Sequence, residues 1–183
     1  SRDGGYPEIM IDQIAQKSKD EGRPTSRFPQ MTQEERNLVR GSADFLALNY
    51  YTSRLVEPRT LNRNIPISWW ADTELDMPVD HNWKQANGWL YSVPEGLRDV
   101  LNWIKDKYDN PTVFISENGW TDDGRLQDDD RVEYIKGHLS ALSKAINEDG
   151  CNVVGCTVWS LCDSFEWNGG FVAKFGIHYV NMY

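Results

Sequence analysis

Along this chain, short continuous apolar runs alternate with longer stretches in which apolar residues recur at helical spacing. Residues 7–18 (PEIMIDQIAQKS) read as a helix opening at Pro7, where a missing N–H costs nothing because the first turn offers it no acceptor. Thr32, with Glu35 three positions on, forms a capping box for a short helix that stops near Gly41. FLALNYY at 45–51 is almost continuously apolar, the pattern of a strand covered on both faces. Residues 52–93 show no sustained periodicity and carry Trp69, Trp70, Trp83 and Trp89, which reads as a long functional loop. Pro94 opens an amphipathic helix with Leu97, Val100, Leu101, Ile104 and Tyr108 on one stripe, ended by Asn110-Pro111. TVFIS at 112–116 reads as a short buried strand running directly into Glu117-Asn118-Gly119. Asp130 and Glu133 then read as caps of a helix whose positions Val132, Ile135, Leu139, Leu142 and Ile146 repeat at helical spacing up to Gly150. NVVGCTVW at 152–159 closes the series as a third strand.

Strand, helix, strand, helix, strand is an α/β alternation with parallel strands implied. It suits either an open doubly wound sheet or a (β/α)8 barrel, and the residues after each strand separate the two. No GxGxxG or Walker pattern is present. The strands lead instead into Asn49-Tyr50-Tyr51, Ser116-Glu117-Asn118 and Trp159-Ser160, polar and aromatic groups of the kind that converge at the mouth of a barrel. A full barrel needs roughly 250 residues. The expectation is therefore an α/β chain that forms part of a TIM barrel, about the last three strands with their helices. Residues 1–183 would all belong to that one domain.

Composition narrows the chemistry. Nineteen basic and twenty-eight acidic residues give a net charge of -9, which repels polyanions, so a nucleic-acid partner is not expected. No run of about 18 apolar residues exists to span a membrane, and no signal peptide opens the sequence. Cys151, Cys156 and Cys162 have no histidine beside them to complete a zinc site and read as small buried apolar residues; no metal or cofactor is expected. The near-acceptor Asn110-Pro111-Thr112 is blocked by its proline, and the compartment stays open. Eight tryptophans and eight tyrosines are the unusual feature. Each reads first as core packing, although an indole can also stack on the C–H face of a sugar.

Glu117 follows a strand directly and is thereby held rigid, while Glu166 lies in WSLCDSFEW as an acid buried among Trp159, Phe165 and Trp167. At this point the sequence resembles glycoside hydrolase family 1, the β-glucosidase and myrosinase group. The resemblance rests on Asn-Tyr-Tyr-Thr, Ser-Glu-Asn-Gly and WSLxDSFEW after three successive strands, with GYPEIM, PEGLRDVLNWI and FGIHYV elsewhere. It implies that Glu117 is the catalytic nucleophile and that Tyr51 hydrogen-bonds it, with Asn49 beside them. A phenol donor of that kind favours the ionised carboxylate that nucleophilic attack requires. Trp159 is similar to the floor under the nonreducing-end sugar, Glu166 and Trp167 to the pair that holds its hydroxyls, and Phe175 to the wall. The reaction implied is retaining hydrolysis of a β-glycoside or oligosaccharide through a covalent glycosyl-enzyme. The family's acid/base, in Asn-Glu-Pro, has no counterpart here, which fits a chain beginning after the fifth of eight strands and needing the preceding part of its barrel. The alternatives are a sugar-binding or receptor-type member without catalysis, and a thioglucosidase (myrosinase).

Overall fold

The computed structural model describes residues 4–59 and 66–181, so residues 60–65 of the long aperiodic stretch lie outside the described residues. In chain order the elements are α1 (Glu8–Asp20), α2 (Gln33–Val39), β1 (Leu46–Asn49), β2 (Glu57–Pro58) and α3 (Trp69–Thr73). They continue with β3 (Leu75–Asp76), α4 (Pro94–Tyr108), β4 (Val113–Asn118), α5 (Asp129–Asn147) and β5 (Val153–Val158), followed by a 3₁₀ turn at Trp167–Gly169. They fall into two compact units, Ser1–Asp44 with Val56–Pro78, and Phe45–Leu55 with Val79–Tyr183.

The first unit contains α1, α2, α3 and the antiparallel pair β2–β3. Pro7 is the N-cap of α1, one position outside the expected start. The capping box of α2 forms in full: Glu35 N donates to Thr32 Oγ1 at 3.2 Å, and Thr32 N donates to Glu35 Oε2 at 2.7 Å. Polar contacts tie α1 to α3. Gln13 and Lys17 donate to the carbonyls of Asp72 and Ala71, and Arg27 grips both Asp72 oxygens at 2.9 Å. The hydrogen-bonded guanidinium holds the Asp72 carboxyl below the usual carboxylate range.

The second unit is built on a parallel sheet in the order β1-β4-β5, which repeats the order of those strands in the chain. Helices α4 and α5 make the crossovers and pack together. Leu97, Leu101 and Ile104 of α4 meet Val113 and Ile115 of β4, Leu142 and Ala145 of α5, and Tyr50 and Cys151 in one buried cluster. A second cluster, Leu90, Trp120, Tyr134 and Phe175, lies toward the C-terminal ends of the strands. Parallel pairing brings all three strand ends to one edge, and whatever side chains they carry must gather there.

Several expectations are corrected. Leu46 and Ala47 of β1 are exposed and Leu48 is half-buried, because β1 is an edge strand paired with β4 alone among the described residues; cover on both faces is not seen. Helix α5 buries Arg131, Tyr134, His138, Ala141, Leu142 and Ala145, whereas Val132, Leu139 and Ile146 are exposed. Asp130 and Glu133 do not cap α5 but lie 2.8 and 2.5 Å from Lys84 Nζ. Trp69, Trp70, Trp89, Trp103, Trp159 and Trp167 are all exposed, and Trp120 is the buried indole, so most tryptophans do not pack the core. Of the cysteines Cys151 is buried, Cys156 half-buried and Cys162 exposed.

Candidate active site

Alternation along β4 should send Val113, Ile115 and residue 117 to the same side, since side chains in a strand repeat every two residues. Val113 and Ile115 are buried against the helices. A register irregularity intervenes: Ile115 pairs with Leu48 of β1, but the next partner of Asn49 is Glu117, so Ser116 is passed over. On the other edge the ladder with β5 is broken between Ile115 and Asn118. Irregularities of this kind re-aim side chains. Asn118 takes the helix-facing place, buried, with its Nδ2 donating to Tyr50 O at 2.9 Å and to Tyr134 Oη at 3.1 Å. Glu117 is thereby turned into the open side, where it lines a cavity of about 820 Å³.

Strand β4 contains Glu117 rather than ending before it. Gly119 follows because a Cβ there would run into the carbonyl of Trp159, where the exits of β4 and β5 cross closely. From β1 the chain continues as Tyr50, buried with its hydroxyl donating to Val93 O at 2.7 Å, and Tyr51, which faces the cavity. Burial raises the Tyr50 phenol to about 12. The Tyr51 hydroxyl donates to Glu117 Oε2 at 2.7 Å. Burial first, and the adjacent carboxylate second, push the Tyr51 phenol well above the ordinary tyrosine range, so it remains a donor.

The far wall comes from the segment after β5. Trp159 Nε1 and Ser164 Oγ both donate to Glu166 Oε1, at 3.2 and 3.1 Å. Glu166 is half-buried, and its neighbours Phe165 and Trp167 are exposed, so it is not the fully buried acid expected from its aromatic flanks. Phe175 is buried and meets the Tyr51 ring edge-on at 5.8 Å. Tyr51, Glu117, Trp159, Glu166, Trp167 and Phe175 all line the one cavity. Asn49 does not; its Oδ1 accepts from Ser116 Oγ at 2.6 Å.

Sequence reasoning did not single out Trp89 and Thr121 as cavity-lining residues. Trp89 stands edge-on to Tyr51 at 5.9 Å, at the tip of a loop fixed by Ala86 N to Leu90 O and by Arg54 to the Trp89 carbonyl. The one available signal was a tryptophan beside a glycine, Gly88-Trp89, just before the helix at Pro94. Behind the site, Tyr134 Oη donates to Tyr51 O at 2.7 Å, and the Tyr134 ring stacks on buried His138 at 3.8 Å. Among the described residues no cluster of potential ligands is arranged to hold a metal ion, and no helix is long and apolar enough to cross a membrane.

Taken together the cavity holds one carboxylate beside a phenol donor and a second carboxylate bonded to an indole, among aromatic side chains. The chain as a whole resembles known proteins. The family model for glycosyl hydrolase family 1 matches residues 1–183. The chain is 45% identical over 176 residues to myrosinase 1 of Brevicoryne brassicae, covering 95% of this chain and 37% of that protein. It is 40% identical over 182 residues to the human cytosolic beta-glucosidase, covering 98% and 38%. The structure of aphid myrosinase superposes with a TM-score of 0.87 at 44% identity, over 97% of this chain and 38% of that one. A mutant rice beta-glucosidase in a covalent complex with Glc superposes with a TM-score of 0.84 at 31% identity, over 98% and 38%. The chain thus spans well under half the length of the curated relatives it matches.

Proposed function

The chain belongs to glycosyl hydrolase family 1 and is part of a (β/α)8 barrel, and from that premise we propose that it is the C-terminal portion of the single catalytic domain of a retaining β-glycosidase. Glu117 is the nucleophile in this reading. Its ionised carboxylate attacks the anomeric carbon of a bound β-glycoside while an acid in the remainder of the barrel protonates the leaving oxygen. Water then hydrolyses the glycosyl-enzyme, with the same acid acting as base, and the anomeric configuration is retained. The two carboxyl groups would stand about 5–5.5 Å apart in a retaining enzyme. The observation that carries the reading is the 2.7 Å bond from Tyr51 to Glu117 inside the aromatic cavity. That bond engages Oε2 and leaves the attack to Oε1, orienting the carboxylate for an in-line approach.

Trp159, Trp167 and Phe175 serve as the apolar surfaces against the sugar, and Glu166 reads its hydroxyls. The covalent Glc complex of the rice relative supports a glycosyl-enzyme route. In the full-length protein a slow-leaving 2-fluoro glycoside should become attached to the peptide containing Glu117; mass spectrometry placing the label on Glu166 would overturn the assignment. Similarity to aphid myrosinase favours a thioglucosidase as the second reading. Parallel assays with S- and O-linked glucosides separate the two.

A further inference from the structure

Arg131 lies in the first turns of α5 and is only 4% exposed. A guanidinium keeps its charge in a protein, so burying it is tolerable only if its donors meet acceptors. Two carboxylates pair with it: Asp122 Oδ2 accepts from Nη2 at 2.8 Å, and Asp128 Oδ2 lies 2.6 Å from Nε as an ion pair without hydrogen-bond geometry. The remaining acceptors are the backbone carbonyls of three consecutive residues. Nη2 donates to Lys174 O at 3.1 Å, and Nη1 donates to Phe175 O at 2.9 Å and to Gly176 O. Asp122 adds its own backbone N–H to Lys174 O at 3.1 Å.

A buried ion pair stabilises a fold less than good apolar packing of the same volume, so stability alone does not account for this cluster. Its location does. The three carbonyls belong to the segment that delivers the Phe175 ring to the cavity wall and against Tyr51. The Phe175 carbonyl also accepts from Ser160 N at 3.0 Å, in the residue following Trp159. One planar fork therefore fixes the backbone beneath the wall and, through Ser160, beside the floor.

We propose that Arg131 is a positioning residue of the site: it clamps the backbone of residues 174–176 and, through the Phe175 ring, holds the sugar wall and Tyr51 in register with Glu117. The proposal rests on the glycosidase reading above. A lysine at 131 would keep the charge but not the fork, and a single ammonium cannot serve two carboxylates and three carbonyls at these angles.

The test is a double-mutant cycle in the full-length protein, with kcat/KM on an aryl β-glucoside measured for Arg131→Lys, Phe175→Ala and the pair, per active site titrated with the 2-fluoro glycoside. Arg131→Lys should lower kcat/KM by about 10- to 100-fold when Phe175 is present, the scale of a small misplacement of catalytic groups. In the Phe175→Ala background the same change should cost less than about threefold. Equal losses in both backgrounds, or none in either, overturn the proposal, since a merely structural role would act regardless of that ring. Glu117→Gln, assayed alongside, separates the failures. If it turns over normally the glycosidase reading falls, whereas if it is inactive and Arg131→Lys behaves as wild type, only the positioning role falls. Should Arg131→Lys not fold, Asp128→Asn, whose side chain is 24% exposed, takes its place in the same cycle with an expected loss of about three- to tenfold.

Discussion

Tyr134 reaches across 83 residues of sequence to donate its hydroxyl to the backbone carbonyl of Tyr51 at 2.7 Å. The bond is part-buried, from a buried Tyr134 to a half-buried Tyr51, and it fixes the main chain of the residue whose own hydroxyl holds Glu117. Tyr134→Phe would leave the ring stacked on His138 but strip a partner from Tyr51 O and from Asn118 Nδ2. Unsatisfied buried groups cost about 1–3 kcal/mol each. The variant of the full-length protein should lose stability on that scale, read from its denaturant midpoint, and lose activity with it. A midpoint within error of the wild type would show the link to be dispensable.

Tyr51→Phe keeps the edge contacts with Trp89 and Phe175 and removes only the donor to Glu117. Hydrogen bonds to charged groups contribute about 1.5–3 kcal/mol, and about 1.4 kcal/mol is tenfold in rate. The expected result is a fall in kcat of about 10- to 100-fold with the folded structure intact. Unchanged kcat would mean that Tyr51 serves packing alone.

Glu166→Ala addresses sugar choice. The carboxylate takes hydrogen bonds from Trp159 and Ser164 and lines the cavity, so its loss deletes an acceptor and frees the indole that it orients. Sites built to hydrogen-bond a hydroxyl reject sugars that misplace it. The ratio of kcat/KM for glucoside over galactoside should shift by about tenfold or more; an equal loss on both sugars would assign Glu166 a structural role instead.

His138 gives the molecule a pH dependence with a definite sign. Burial lowers its folded-state value from 6.5 to about 4, so the native ring stays neutral where the unfolded chain would bind a proton. The stability linked to His138 is fully present above pH 6.5 and is lost as pH falls toward 4, by up to about 3 kcal/mol at about 1.4 kcal/mol per unit. His138→Phe in the full-length protein should flatten the stability profile between those two values. A slope unchanged by the substitution would place its source in other groups.

The elements whose signals are local were legible in the sequence. The Thr32–Glu35 box, the helix from Pro94 and the strand before Trp159 all formed where their residues indicated. Helix α5 was placed correctly and turned wrongly. Apolar periodicity measures polarity, and here Arg131 and Tyr134 are buried with hydrogen-bond partners contributed by distant segments, while His138 is buried against the Tyr134 ring and bonded to its carbonyl. The cavity residues Tyr51, Glu117, Trp159, Glu166, Trp167 and Phe175 were legible through motifs, because each occupies a strand end or the segment beyond it. Strict alternation alone would have sent Glu117 into the helix layer beside Ile115. The skipped Ser116 that prevents this depends on pairing with β1, and pairing is invisible in a single strand's sequence. Arg131 escaped for the same reason, since besides Asp122 and Asp128 its partners are backbone carbonyls more than forty residues away.

The separation of Tyr51 from Glu117 by 66 residues bears on how the molecule comes together in time. Strands β4 and β5 are joined by α5 alone, a compact local excursion, whereas β1 must close a far longer loop to reach β4. Closing longer loops costs more chain entropy and slows the pairing that depends on it. The β4–α5–β5 segment is therefore expected to gain amide protection from hydrogen exchange before β1 does. The phenol–carboxylate pair can exist only after that last docking, so a folding chain carries no partly working nucleophile along the way.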